Sequence, residues 1–445
     1  MKKKRYLPLL LTATCTVTLL IACGSSSGSA TNATSTAASS ESEKAETTAQ
    51  TSAPSSSGAA AESTGSEKTA KVQDDDGVIK FGIACPLTGT SATYGELMAT
   101  GAQIAVDEIN KNGGIGGLPV ELVKFDDKDD PSEAALVAQR LVDEGDIDFV
   151  ISHGGSSNTL AAAPIYESAK MPNMAPSSAN PSLTEQGYEY FIRYCLRDDR
   201  LSPQVIAMLV NNLGIKKIGV IFANNDYGRG NLDAAISTAK KLGAEVVDQE
   251  TYNPGLEKDF STIVIKFLAA GVEGVAVYMD HADAGLYFQQ AHALGLDVPS
   301  VGQSALTYTS MVDLAGADAL QNLYMAVTFN PFSNREIVVK FNQLFDEAYG
   351  KDTVPSEPCG NSYDIVNVVK QAYEEGATKE NMAQWIKNTT PDKDYTFVVP
   401  ETLMTQNMSW DANGDSNYIA ASIVRVDTDG NFVSDDETID ITGLN

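Results

Sequence analysis

The sequence predicts an α/β protein built as two doubly wound lobes. Beyond residue 77, short apolar runs alternate with amphipathic helical stretches. This alternation runs as two separate series, one closing near residue 169 and another opening at 217. Alternating strands and helices make βαβ units, whose mostly parallel sheets are covered on both faces. Two such series in one chain give two lobes.

In the first series, 78–84 reads as a buried strand, 95–110 as a helix and 118–125 as the next strand. Asp130 and Pro131 then open a helix, with Asp as N-cap and Pro at the first helical position. A third strand over 147–152 leads into a helix over 158–169. In the second series, strands over 217–223, 244–250 and 274–279 alternate with helices over 228–242, 259–270 (capped by Asp259) and 282–294. Near the end, Asp411-Ala412-Asn413-Gly414-Asp415 has the look of a calcium loop, but Ser422 stands where such a loop ends in an acid. Asn-Gly between Trp410 and the apolar run 418–424 reads instead as a hairpin turn.

The first residues belong to neither lobe. Met1 is followed by Lys2, Lys3, Lys4 and Arg5, then by a threonine-broken apolar run to Ala22. That run is shorter than the roughly 20 apolar residues of a spanning helix and has the length of a signal-peptide core. It ends in Leu20-Ile21-Ala22-Cys23-Gly24, a pattern that resembles a bacterial lipobox. The expectation is a signal peptide over 1–22 and a diacylated Cys23 at the mature N-terminus. From 24 to about 76 the chain is Ser, Thr, Ala and Glu, with almost nothing apolar larger than Ala. Such a composition buries too little surface to offset its ordering entropy, so 23–77 reads as an anchored, disordered tether.

Composition excludes several functions. A formal charge of -28 argues against nucleic acid and against adhesion to anionic lipid. Once Cys15 and Cys23 are assigned to leader and anchor, Cys85, Cys195 and Cys359 remain, an odd number at unrelated spacings, so no disulfide framework is implied. His153, His281 and His292 are too scattered to suggest a metal, and no cofactor is expected. Gly302-Gln303-Ser304-Ala305-Leu306 lacks the second glycine of a nucleophile elbow. Gly113-Gly114-Ile115-Gly116-Gly117 follows a helix rather than a strand, so it reads as a helix stop and not a dinucleotide fingerprint. The chain is not expected to be an enzyme.

Ligands of doubly wound sheets bind outside the carboxyl ends of the strands. Three loops fit: 86–89 (PLTG) with Tyr94, 154–159 (GGSSNT) and 176–181 (PSSANP). The second sets backbone N–H groups and hydroxyls at the positive end of a helix, where a carboxylate or phosphate is stabilised. Helix capping by Ser and Asn is the plainer reading of any one loop, but three such loops in one lobe favour a site.

Taken together, these stretches resemble the branched-chain amino-acid (Leu/Ile/Val) substrate-binding proteins of ABC transporters, which have the periplasmic-binding fold. The resemblance covers about 78–433 and rests on IACPLTGTSATYGELMATGAQIAVDEINKNGGIGG, DDKDDPSEAALVAQRLV, SHGGSSNTLAAAPIYESAKMPNMAPSSANPSLTEQGYEYFIR, ANNDYGRG and EKDFSTIV, in that order and spacing. It implies that Ser156 binds a ligand carboxylate with help from Ser177, Ser178 and Ala179. It also implies that Asp198 meets the ammonium and that Tyr94 and Tyr227 form aromatic walls. The sequence departs from the family at Ala179, where a threonine is usual, at Ser304, near a second-lobe acid, and at Asp280, near an aromatic. Asp129 and Gly155 stand where some members have a disulfide.

The resemblance implies two lobes joined by about three crossovers, with the ligand cleft between them. Lobe one is expected over 78–197 plus 330–401, and lobe two over 198–329 plus 402–445. The expected function is that of a monomeric, lipid-anchored extracytoplasmic protein that binds an amino acid and delivers it to an ABC permease and its ATPase. The alternatives are a binder of another small carboxylate, amide or aromatic solute, or a sensory lipoprotein. A sensory receptor would be expected to carry a membrane helix and a signalling module.

Overall fold

The computed structural model describes residues 77–351, 353–391, 395–418 and 420–444. The expected signal peptide, Cys23 and the tether lie outside the described residues.

The first sheet holds β1 (Ile79–Cys85), β2 (Val120–Asp126), β3 (Phe149–Ile151), β4 (Asn173–Ala175) and β5 (Phe191–Arg193), in the order β2-β1-β3-β4-β5. Every pairing is parallel, with Ile79 opposite Val120 and Phe81 opposite Phe149. Parallel strands need crossover helices, and Ala92–Lys111, Pro131–Glu144 and Ser156–Ser168 supply them. The boundaries follow local chemistry. Asp130 accepts hydrogen bonds from the backbone N–H groups of Ser132 and Glu133 at 2.8 and 3.0 Å, with Pro131 beside it. The same helix ends at Gly145, whose φ of +78° only glycine adopts at little cost.

The second sheet holds β6 (Lys217–Ala223), β7 (Glu245–Tyr252), β8 (Gly274–Tyr278), β9 (Ser300–Gln303) and β10 (Leu323–Val327), all parallel. The chain then leaves it and forms a small ribbon of β11 (Val399–Glu401) and β12 (Gln406–Met408). It returns as β13 (Ser422–Val426) and β14 (Phe432–Thr438), which add antiparallel strands to give the order β14-β13-β10-β9-β8-β6-β7.

Each sheet has its own core. Phe81, Ile83, Leu97 and Phe149 pack with Phe341, Val366 and Ile386, so the helix Glu357–Glu374 belongs to the first body. There it lies so close to the helix Ala92–Lys111 that a Cβ at Gly101 would collide with the carbonyl of Cys359. The second body packs Val275, Val277, Met325 and Val327 with Val424 and Phe432 on one face, and Val205, Ile206, Val220 and Ile423 on the other. The chain crosses between the bodies after β5, after β10 and between β12 and β13. One boundary differs from the expected one: Leu403, Met404, Met408 and Trp410, beyond residue 401, lie in the first core. Their apolar side chains complete that core before the last crossover. Cys85, Cys195 and Cys359 are buried and unbridged.

Candidate ligand-binding site

A cavity of about 760 Å³ lies at the carboxyl ends of the strands of both sheets and is lined from both bodies. From the first body come Tyr94, Ser156, Asn158, Ser177, Ala179 and Glu357. From the second come Tyr227, Asp280, His281, Gln303, Ser304 and Tyr308.

The first-body wall is built around the start of the helix Ser156–Ser168. Gly155 precedes it in extended conformation, so the first N–H groups have no carbonyl within the helix to donate to. The Ser156 hydroxyl, in a nearly buried side chain, accepts from the Asn180 backbone N–H at 3.2 Å. Beside it, the Tyr94 hydroxyl donates to the Gly154 carbonyl at 3.1 Å, and a Cβ at Gly154 would collide with the Tyr94 ring. Glycine there lets the aromatic wall lie against the loop backbone.

The loop 176–181 is held from below by Arg193, which is fully buried. Its Nη1 donates to the carbonyls of Ser178 and Asn180, each at 2.9 Å, and its Nη2 to the Thr184 hydroxyl at 2.9 Å. Its Nε donates to Asp415 at 2.9 Å, and Arg197 donates to the other oxygen of that carboxylate at 2.9 Å. Asp415 lies in the turn after Trp410, where Trp410 bridges Ser416 and Asp411 accepts from the N–H groups of Asn413 and Asp415. The turn expected over 411–415 therefore forms, and its last residue anchors a loop more than two hundred positions away in sequence.

On the second-body wall a chain of side chains runs inward. The Tyr227 hydroxyl donates to Gln303 Oε1 at 3.0 Å, Gln303 Nε2 to Asn231 Oδ1 at 2.7 Å, and Asn231 Nδ2 to Asp198 Oδ1 at 2.7 Å. His281 stacks on Tyr308 with centroids 4.2 Å apart, and burial pushes its imidazole down to about 4, so it is neutral near pH 7. Burial raises Asp280 to about 7, with the Asp129 and Asp283 carboxylates pushing the same way. Burial also raises Glu357, against the pull of hydroxyls at Ser304 and Thr328 and the amide of Asn361. The two bodies touch at the rim: Ser157 Oγ donates to Asp226 Oδ2 at 2.8 Å, and Asn180 Nδ2 donates to the Asp226 carbonyl at 2.7 Å.

Residues 78–430 match the family described as periplasmic binding protein. The chain belongs to the periplasmic binding protein family. An "amino acid binding protein" of Pseudomonas aeruginosa is 36% identical over 238 residues, 54% of this chain and 63% of that protein. The leucine-, isoleucine-, valine-, threonine- and alanine-binding protein of the same organism is 30% identical over 342 residues, 76% of this chain and 87% of that one. Among solved structures, the branched-chain amino-acid transporter substrate-binding protein LivJ of Streptococcus pneumoniae, in complex with isoleucine, superposes with a TM-score of 0.70 at 26% identity. That match covers 80% of this chain and all of the neighbour.

For a periplasmic binding protein, most of the sequence-derived site comes together. Tyr94, Ser156, Ser177, Ala179, Tyr227, Asp280 and Ser304 all line the cavity. Two residues do not. Ser178 is buried behind the loop, where its hydroxyl bonds Thr159 Oγ1 at 2.6 Å and donates to the His153 carbonyl at 3.0 Å. Asp198 opens the helix Asp198–Ala207 and is fully buried at the inner end of the Tyr227–Gln303–Asn231 chain. It supports the wall rather than facing the ligand, because its helix turns into the second core. Arg197 beside it is ion-paired with the buried Asp415 and the exposed Asp199.

Several lining residues escaped the sequence reading. Gln303 and Tyr308 lie in a stretch with no motif, and Glu357 comes from a helix that only the fold returns to the cleft. An acid directly before a proline at a helix start was the available signal for Glu357. Among the described residues no cluster of His, Cys, Asp and Glu is arranged to hold a metal ion.

Proposed function

We propose that this periplasmic binding protein is the extracytoplasmic, lipid-anchored receptor of an ABC importer, taking an amino acid into the cleft and passing it to the permease without chemical change. The observation that carries the reading is the pairing of Ser156, at an open helix N-terminus of the first body, with two carboxylates that line the same cavity, Glu357 of the first body and Asp280 of the second. A helix N-terminus favours an anion and buried carboxylates favour a cation, so the two ends suit a zwitterion. A ligand touching both bodies favours the closed form, which is the shape a permease can distinguish. Relatives named for leucine, isoleucine, valine and other amino acids support the ligand class. Cys23 is the proposed lipid attachment and the low-complexity stretch behind it the tether.

A thermal-shift screen against amino acids and small carboxylates tests the ligand, since a compound that binds only the folded state raises its unfolding temperature. Amino acids are expected to shift it; a response confined to non-amino carboxylates would reject the reading. Labelling cells with a palmitate analogue is expected to mark the wild type and spare Cys23→Ala, and equal labelling of both would remove the anchor.

A further inference from the structure

Charge bookkeeping around the cavity does not close. Lys258 pairs with Asp283, Arg229 with Asp226 and Lys128 with Glu133, which uses the lysines and arginine of the lining. His281 is neutral near pH 7. Asp129, Asp280 and Glu357 also line the cavity, and none has a cationic partner among the described residues; Asp129 accepts from the Ser91 hydroxyl and the Asn158 amide instead. Glu357 is 8% exposed and sits at the first position of its helix, with Asn361 Nδ2 at 3.4 Å. Asp280 receives help from the Tyr252 hydroxyl, which itself accepts from the Asp280 backbone N–H at 2.9 Å.

A second observation points at the same end of the cavity. Ser304 Oγ and the Tyr308 hydroxyl belong to side chains 6% and 4% exposed; Ser304 stands beside Glu357 and Tyr308 beside Ser356, but neither hydroxyl makes a well-formed hydrogen bond among the described residues. Buried polar groups in native proteins are satisfied, so such hydroxyls in a cavity wall await a polar ligand.

A zwitterionic amino acid with an apolar side chain brings one cation and one anion, and Ser156 with its helix terminus takes the anion. That leaves one ammonium among three carboxylates, and in a closed, desolvated cleft the surplus acids must either stay unpaired, which is costly, or take up a proton. We infer that the ligand carries a second cationic group, and that this is a binding protein for basic amino acids, with Asp280 and Glu357 between them holding the α-ammonium and the side-chain cation. The inference rests on the amino-acid reading above and narrows it.

Isothermal titration of the full chain with leucine, lysine and arginine tests it. Lysine or arginine is expected to bind at least about tenfold more tightly than leucine, and Glu357→Gln and Asp280→Asn each to lose about thirtyfold for the basic ligand, while one of the two changes leucine by less than about threefold. Unfolding of the two unliganded variants confirms that each is folded, and the variant that weakens leucine as well marks the acid that holds the α-ammonium. Leucine binding as tightly as arginine and lysine would overturn the basic-ligand inference and leave the amino-acid reading standing. Failure of all three to bind would overturn both.

Discussion

Asp198 has one carboxylate oxygen that accepts from Asn231 and one that accepts from no group among the described residues. Burial raises it to about 7, against the pull of Asn231 and the Arg193 charge. In the unfolded chain it loses its proton near 3.8. Between those values the folded state holds a proton that the unfolded state has lost, so this group's contribution to stability falls as pH rises from about 4 to 7. Thermal unfolding followed across that window should show Asp198→Asn gaining stability relative to the wild type as pH rises. The comparison of slopes is insensitive to any constant change the amide introduces. At Ser156 the expected effect is on ligand instead. Ser156→Ala should weaken binding of the best amino acid by about 1–2 kcal/mol, as for one hydrogen bond to a charged group. Undiminished affinity on titration would move the anionic end elsewhere.

The loop 176–181 depends on the short turn that carries Asp415. Arg193 is fully buried and its guanidinium bonds two loop carbonyls, a hydroxyl and that carboxylate. Removing the acid strands a buried cation, which typically costs about 3–5 kcal/mol. Asp415→Ala should show that loss in urea unfolding, whereas Asp130→Ala, a lost helix cap, should cost only about 1 kcal/mol. The Asp130 cap was legible because it is local: Asp, Pro and the first apolar turn are neighbours in sequence. The strand–helix alternation was legible for the same reason, and the strand expected over 217–223 is β6 to the residue. Arg193–Asp415 was not legible, since no local pattern pairs residues 222 positions apart. Likewise the acids at 280 and 357 meet only once β8 and the helix Glu357–Glu374 are arranged around one cavity. Asp198 was misread because sequence places it at the crossover but does not say which way its helix turns.

The two bodies meet where Ser157 and Asn180 reach Asp226. Ser157 Oγ both donates to the Asp226 carboxylate and accepts from its backbone N–H. Ser157→Ala removes both interactions, so it should shift the unliganded population toward an open form. Small-angle scattering without ligand should then give a larger radius of gyration than the wild type. Ligand affinity should fall by up to about tenfold, because a smaller fraction is ready to bind. The order of strands in the second sheet has a further consequence, for how the chain is made. β13 and β14 come last in sequence, yet β13 pairs with β10, and the first core is finished only by Trp410. Neither half can complete itself while the segment from Trp410 to β14 is still inside the ribosome or an export channel. Contacts this far apart in sequence form slowly, because the intervening loops must close first. A chain emerging from its amino end would thus stay unfinished, still threadable through a narrow pore, until the residues of β13 and β14 had passed.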